Sequence, residues 1–249
     1  MALKAPKNWI LIRGLARSEF HWKNFAVEMK AALGCDSVRT VELPGNGRLY
    51  NERTPSDIQA VLQEFRQQAE ISGAEPAGLL GVSLGGVLAT AWAQSYPAEV
   101  SHLVIINSSS PQNPFYDRLF PRHYRKILKM LIFPKAARSE KFILSVTSNN
   151  RNKWEPQVSD NIAYLKKYPV SAANFLRQLK LASQVDFLNI PEAAKLILAS
   201  RHDRLVSSRC SEVIADIWDM PLEFHESAGH DLPLDDAEWI FEKIKGFTS

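Results

Sequence analysis

Ser83 sits in Gly81-Val82-Ser83-Leu84-Gly85-Gly86, a G-x-S-x-G hexad that follows the apolar run Ala77-Gly78-Leu79-Leu80 and opens a helix-like stretch from Val87 to Ala93. This spacing is that of a nucleophile elbow. A sharp strand-to-helix turn holds its central residue in strained backbone geometry, so the flanking positions must lack side chains that would collide with the strand or the helix. The turn lifts the hydroxyl above the sheet edge and aims the first free helix amides at whatever the hydroxyl attacks. A serine hydroxyl is a poor nucleophile at neutral pH and needs a base, normally histidine, which a carboxylate orients. Of six histidines, His230 stands in Ser227-Ala228-Gly229-His230-Asp231, between the last predicted strand and the last predicted helix. Asp203 stands in Ser200-Arg201-His202-Asp203-Arg204, on a loop leaving the strand that ends at Ala199. The chain order Ser, Asp, His is the one expected with such an elbow. The chemistry these three residues point to is attack on a carbonyl through a covalent intermediate.

Other residues compete for these roles. Asp203 has the alternative of capping its own loop or pairing with Arg201 or Arg204. Asp231 adjoins the base and is expected to point elsewhere, whereas Asp235 and Asp236 suit the start of the last helix. His202 and His225 read as structural, and His21, next to Trp22, as a residue at a helix start. No H-E-x-x-H or comparable ligand set, dinucleotide fingerprint or phosphate loop occurs, so neither a metal nor a cofactor is expected.

The elements that must position these residues alternate. Trp9 to Ile12 is a short apolar run, broken by Gly14 to Ser18, with an amphipathic helix expected over Phe20 to Leu33. Ser37 to Leu43 is a β-branched strand ending in the turn Pro44-Gly45-Asn46-Gly47. Thr54-Pro55-Ser56-Asp57 starts a helix whose apolar face is Ile58, Val61, Leu62 and Phe65. The elbow follows, and His102 to Asn107 is another buried strand. Alternation then stops at Pro111 and resumes at Ala194 to Ala199, with a helix from Ser208 to Trp218, a strand at Leu222 to His225 and a last helix from Asp236 to Phe247. This pattern implies an α/β fold: a doubly wound, predominantly parallel sheet of about six strands, with an inserted helical cap over the strand ends. The core is expected over residues 1–111 and 186–249, and the cap over 112–185.

At 249 residues the chain is long enough for one large α/β domain with an insertion, or for two small domains. With 45% hydrophobic and 23% charged residues it reads as soluble; no run approaches the ~20 apolar residues of a membrane span. Met1 to Lys7 lacks the apolar stretch of a signal peptide, so the cytoplasm is the expected compartment. Cys35 and Cys210 lie far apart and read as two free thiols.

A net charge of +3 is too small to suggest nucleic acid, but its distribution is uneven. Between Gln112 and Val185 there are 14 Lys or Arg against four acids, a net +10, which leaves −7 on the rest of the chain. Tyr124, Ile127, Leu128, Leu131 and Ile132 fall on one side of a predicted helix, about 150° from Arg122, Arg125, Lys126 and Lys129. Either the apolar side covers the pocket and the basic side is merely solvated, or the basic side docks an acidic partner such as an acyl carrier protein. A third reading is contact with anionic lipid.

Taken together these motifs resemble the α/β-hydrolase fold family from Trp9 to Phe247, the insertion apart. The elbow, the Asp203 loop and the Gly229-His230 loop look like the family's nucleophile, acid and base. The resemblance implies an oxyanion hole from the backbone amides of Leu15 and Leu84. It also shows departures: Arg13-Gly14-Leu15 replaces the usual His-Gly, with Trp22 further on, and Pro44-Gly45-Asn46-Gly47-Arg48 departs at Asn46 and again at Leu49. Only eight residues precede Trp9, too few for the antiparallel hairpin many members carry, so an all-parallel sheet is expected. The basic cap is distantly similar to that of esterases acting on acyl-carrier-protein methyl esters. The expected activity is serine hydrolysis of a carboxylic ester or thioester. Acyl transfer, C–C bond hydrolysis or elimination by the same triad is one rival, and a non-catalytic binding protein with a basic cap is the other.

Overall fold

Among the described residues the chain forms six strands, β1 (Asn8–Ile12), β2 (Ser37–Val41), β3 (Ala77–Val82), β4 (Val100–Ile106), β5 (Ala194–Ser200) and β6 (Leu222–His225). They form one sheet in the order β2-β1-β3-β4-β5-β6, every neighbouring pair parallel. This computed structural model describes residues 4–70, 75–133 and 135–249. Alternation implied a predominantly parallel sheet of about six strands, and all five strand pairs are parallel.

Period-two alternation along the strands builds a separate core on each face. Ile10, Ile12, Leu79, Leu103 and Ile197 pack with Val61, Leu62 and Phe65 of α2 (Ile58–Gln68), Leu88 and Trp92 of α3 (Leu84–Ser95), and Ile214 and Trp218 of α10 (Arg209–Trp218). Trp9, Leu11, Leu80, Val104 and Leu198 face the other way, onto Phe25 and Met29 of α1 (Phe25–Leu33) and Ile240 and Ile244 of α12 (Ala237–Thr248). Local signals set the helix starts. Asp57 accepts from the Ala60 amide at 2.9 Å, and Asp236 from the Trp239 amide at 3.1 Å.

Between β4 and β5 the chain forms α4 (Phe115–Arg118), α5 (Tyr124–Ile132), α6 (Ala136–Thr147), α7 (Arg151–Trp154), α8 (Val158–Lys167) and α9 (Ala172–Leu181). A short α11 (Leu232–Asp235) precedes α12. Among the described residues no helix is long and apolar enough to cross a membrane.

One expected element is divided. Phe20 to Leu33 is not one helix: a 3-10 turn over Glu19–Trp22 ends at Lys23, where φ is +49°, and α1 begins at Phe25. The cause is tertiary and invisible to local periodicity. Phe20 stacks on Tyr164 of α8 with ring centres 4.0 Å apart, and Lys23 donates to Asn161 at 2.9 Å, so the first turn faces the insertion while Phe25 and Met29 face the sheet.

Strand order reverses between β1 and β3, so the loops leaving these two strands flank the crevice where parallel sheets bind ligands. The Arg13-Gly14-Leu15 loop leaves β1, and Ser83 leaves β3. The Asp203 and His230 loops leave β5 and β6 at the same edge of the sheet.

Candidate active site

Ser83 connects β3 to α3 with φ +58° and ψ −120°, a conformation that costs about 1–3 kcal/mol in a non-glycine residue. Its surroundings hold it there. The Ser83 amide donates to the Ile106 carbonyl at 2.8 Å, and the Ser83 carbonyl accepts from Ser108 Oγ and the Gly86 amide, each at 3.0 Å. A Cβ on Gly81 would collide with the Gly85 backbone, and one on Gly85 with the Ile12 carbonyl. Gly81 and Gly85 are therefore required by the closeness of strand, turn and helix.

Asp203 and His230 meet across the sheet edge, with His230 Nδ1 donating to Asp203 Oδ2 at 2.6 Å. Both side chains are buried, at 2% and 7% exposure. The other carboxylate oxygen accepts from the amides of Leu205 at 2.7 Å and Val206 at 3.0 Å, which fixes the acid's orientation. In a neutral ring this bond keeps the proton on Nδ1 and leaves Nε2 as the basic nitrogen. Ser83 and His230 line the same cavity. Among the described residues Ser83 Oγ forms no hydrogen bond, so its side chain is uncommitted.

The amides of Leu15 and Leu84 donate to no protein acceptor among the described residues. Gly14 lies against Ser83, its carbonyl accepting from the Arg17 amide at 3.1 Å in a tight turn. From the insertion, Gln178 accepts from the Ala16 amide at 3.0 Å and donates to Asn46 at 2.8 Å, while Asn46 donates to the Arg17 carbonyl at 2.9 Å. Asn46 thus braces the loop after β1.

A family model described as "Alpha/beta hydrolase family" matches residues 9–243. The chain belongs to the alpha/beta hydrolase family. Among solved structures it is similar to a 2-hydroxy-6-oxo-6-phenylhexa-2,4-dienoate hydrolase from Rhodococcus sp. strain RHA1, with a TM-score of 0.77 and 15% identity over 98% of this chain and 90% of that one. It is also similar to an enol-lactonase from Burkholderia xenovorans LB400, with a TM-score of 0.76 and 12% identity over 98% and 91% of the two chains. A lipase-esterase related protein from Clostridium acetobutylicum ATCC 824 gives a TM-score of 0.71 and 16% identity over 98% and 97%. At these identities the likeness is one of fold.

In this member of the alpha/beta hydrolase family, Arg13 at the start of the loop after β1 has a partner. Arg13 donates to both carboxylate oxygens of Asp231, at 3.0 and 2.6 Å, with side chains 4% and 9% exposed. The guanidinium lies 4.8 Å from the Trp22 ring centre. Burial alone raises the Asp231 pKa, but the Arg13 charge and its two hydrogen bonds outweigh that and hold it below the ordinary 3.8. Through this pair Asp231 ties the His230 loop to the loop after β1.

A cavity of about 540 Å³ opens above Ser83, walled largely by apolar side chains of the insertion, including Ile127, Leu131, Ile143, Val146 and Phe175. Its polar pole is Arg17, which donates to both oxygens of the buried Glu140 at 2.9 and 3.0 Å, with Asn161 donating to Glu140 at 2.9 Å. Among the described residues Arg17 Nη2 is buried without a hydrogen-bond partner. Burial, followed by the charges of Arg17, Arg13 and Lys23, pushes the His21 pKa well below 6.5, and His21 Nδ1 accepts from the Ser18 amide at 3.1 Å. His21 lines the cavity as a neutral ring.

Several sequence-based expectations need correction. The apolar side of α5 does not cover the cavity as a whole: Ile127, Met130 and Leu131 line it, but Leu128 and Ile132 are 57% and 58% exposed. The basic side is not uniform either. Arg122 donates to the Arg204 carbonyl at 2.8 Å, and Lys126 lies 4.9 Å from the Phe142 ring centre, whereas Arg125 and Lys129 are exposed and join no ion pair among the described residues. Asp236 starts α12 as expected, but Asp235 does not. It is buried and accepts from Ser148 Oγ and from the amides of Asn149 at 2.9 Å and Gly229 at 2.6 Å. One carboxylate so joins the end of α6 to the His230 loop.

Sequence reasoning also missed Asn107, whose φ of +48° suits the asparagine side chain. Its amide group donates to the His230 carbonyl at 2.9 Å, and its oxygen accepts from the Ser200 amide at 2.7 Å. It staples β4 to β5 and to the His230 loop. His225 donates to Asp236 at 3.1 Å, and the carbonyl of the exposed His202 accepts from Asn149 at 3.0 Å. Both cysteines are buried thiols, and burial, aided by Asp117, pushes Cys210 up to about 12.

Proposed function

We propose that the protein is a serine hydrolase that cleaves a carboxylic ester or thioester through an acyl-enzyme on Ser83. The observation that carries this reading is the 2.6 Å bond from His230 to the buried, doubly anchored Asp203, beside a strained serine in one shared cavity. His230 Nε2 takes the Ser83 proton as Oγ attacks the carbonyl carbon. The Leu15 and Leu84 amides hold the resulting oxyanion, a contribution of about 3–4 kcal/mol per donor in related sites. His230 then gives its proton to the departing alcohol or thiol. Water, deprotonated by the same nitrogen, attacks the acyl-enzyme and Ser83 regains its proton.

The apolar cavity supports a substrate with a hydrocarbon acyl chain rather than acetate. Arg17 Nη2 offers a donor to an oxygen on that chain or on the leaving group. Each methylene buried contributes about 0.8 kcal/mol, so lengthening an activated ester from butanoate to octanoate should raise kcat/KM about tenfold or more. A panel of 4-nitrophenyl esters checks this, with Ser83→Ala as control. Turnover by Ser83→Ala equal to that of the parent protein would remove the reading.

A further inference from the structure

We propose that the outer surface of α5 and the following turn seat the protein on an anionic lipid surface. Successive residues of a helix are 100° apart, and on α5 the cavity-lining Ile127, Met130 and Leu131 define an inner side. The opposite side is not simply basic. It carries Leu128 and Ile132 beside Arg125 and Lys129, and Phe133 follows with 71% exposure. Tyr124 draws Phe115 alongside, ring centres 5.7 Å apart, and Phe115 and its neighbour Tyr116 are each 59% exposed. Large apolar side chains therefore cluster in solvent on the outside of one short insertion segment.

Cations flank them along the chain. Arg125, Lys126, Lys129, Lys135, Arg138 and Lys141 are all exposed, and the one acid between Arg118 and Lys141 is Glu140, buried against Arg17. Mixed basic and bulky apolar side chains on one exposed face are the pattern of a helix lying in a membrane interface: the apolar groups enter the acyl boundary and the long cationic side chains reach back to the headgroups. Charge over the whole chain would orient the molecule. The insertion carries +10 and the remainder −7, so an anionic surface attracts the α5 side and repels the rest. Docking of an acidic protein would use the cations but gives no role to Leu128, Ile132 and Phe133. Because α5 also walls the cavity, seating it would bring the cavity to the lipid; the surface itself rests on exposure and charge and is independent of the reaction proposed for Ser83.

Co-sedimentation with vesicles of phosphatidylcholine alone, and of phosphatidylcholine with phosphatidylglycerol, tests the proposal using the full chain and its Ser83→Ala form. The expected result is partitioning at least about tenfold stronger onto the anionic vesicles, eroded as salt rises from about 0.1 to 0.5 M. Leu128→Ser/Ile132→Ser should weaken that binding, and Arg125→Glu/Lys129→Glu should abolish the preference for anionic vesicles. Lys135→Glu/Lys141→Glu, outside the helix, provides a second charge reversal. All three should keep the parent's urea midpoint and its turnover of a soluble ester. Equal partitioning on both vesicle types, or binding that none of the substitutions reduces, overturns the proposal. So does loss by charge reversal with no loss in Leu128→Ser/Ile132→Ser, or binding to acyl carrier protein in a parallel arm without binding to vesicles, since each is the signature of a purely electrostatic protein dock.

Discussion

A guanidinium and a carboxylate bonded twice in near-dry surroundings, as Arg13 and Asp231 are, gain little over an apolar pair of the same shape, yet either one left alone is costly. Arg13→Met should therefore lower stability by about 3–5 kcal/mol, while Arg13→Met/Asp231→Leu should recover most of that loss in urea unfolding. The pair also has a definite pH signature. Because the Asp231 pKa is held below its unfolded value near 3.8, its stabilisation is full above that value and is lost as pH falls through the folded one. Asp231→Asn should flatten the parent's loss of stability on acidification below about pH 4. For catalysis the decisive small change is at Asp203. Asp203→Asn preserves size but no longer holds the proton on His230 Nδ1, so kcat for an ester should fall about 10⁴-fold with far less change in KM. Asp203 and His230 were legible because the chain order and the loop positions agree. Arg17 with Glu140, and Arg13 with Asp231, were not, since each pair joins residues more than a hundred positions apart and no sequence pattern links the two partners.

Much of the core could be read from the sequence because its central strands carry apolar residues on both faces, and α2 and α12 begin at recognisable caps. Where reading failed, a neighbour in space had overruled local pattern. Lys23 takes a positive φ because the turn before α1 packs on α8, and the sides of α5 are assigned by what the insertion covers rather than by its own periodicity. Asp235 shows the same thing at an element boundary. Placed just before a helix it looks like a cap, yet it is the point where α6, α11 and the His230 loop are tied together. Asp235→Asn puts an amide nitrogen among donors, so it should cost about 1–3 kcal/mol of stability. A larger fall in kcat than in KM for ester hydrolysis would mark it as a positioning residue for His230; an unchanged kcat with the stability loss would confine it to a structural role.

For the whole molecule, the loops after β1, β3, β5 and β6 bring an arginine-braced turn, a strained serine, a buried acid and a histidine to one end of a parallel sheet, beneath an apolar cavity walled by the insertion. Oriented this way, Ser83 should be the reactive hydroxyl of the protein. Covalent labelling by a fluorophosphonate, read by intact mass, puts that to the test. One adduct on the native chain, abolished by Ser83→Ala and by prior heat unfolding, is the expected result. A native chain that takes up no label, or a Ser83→Ala chain that labels as readily as the parent, would contradict it.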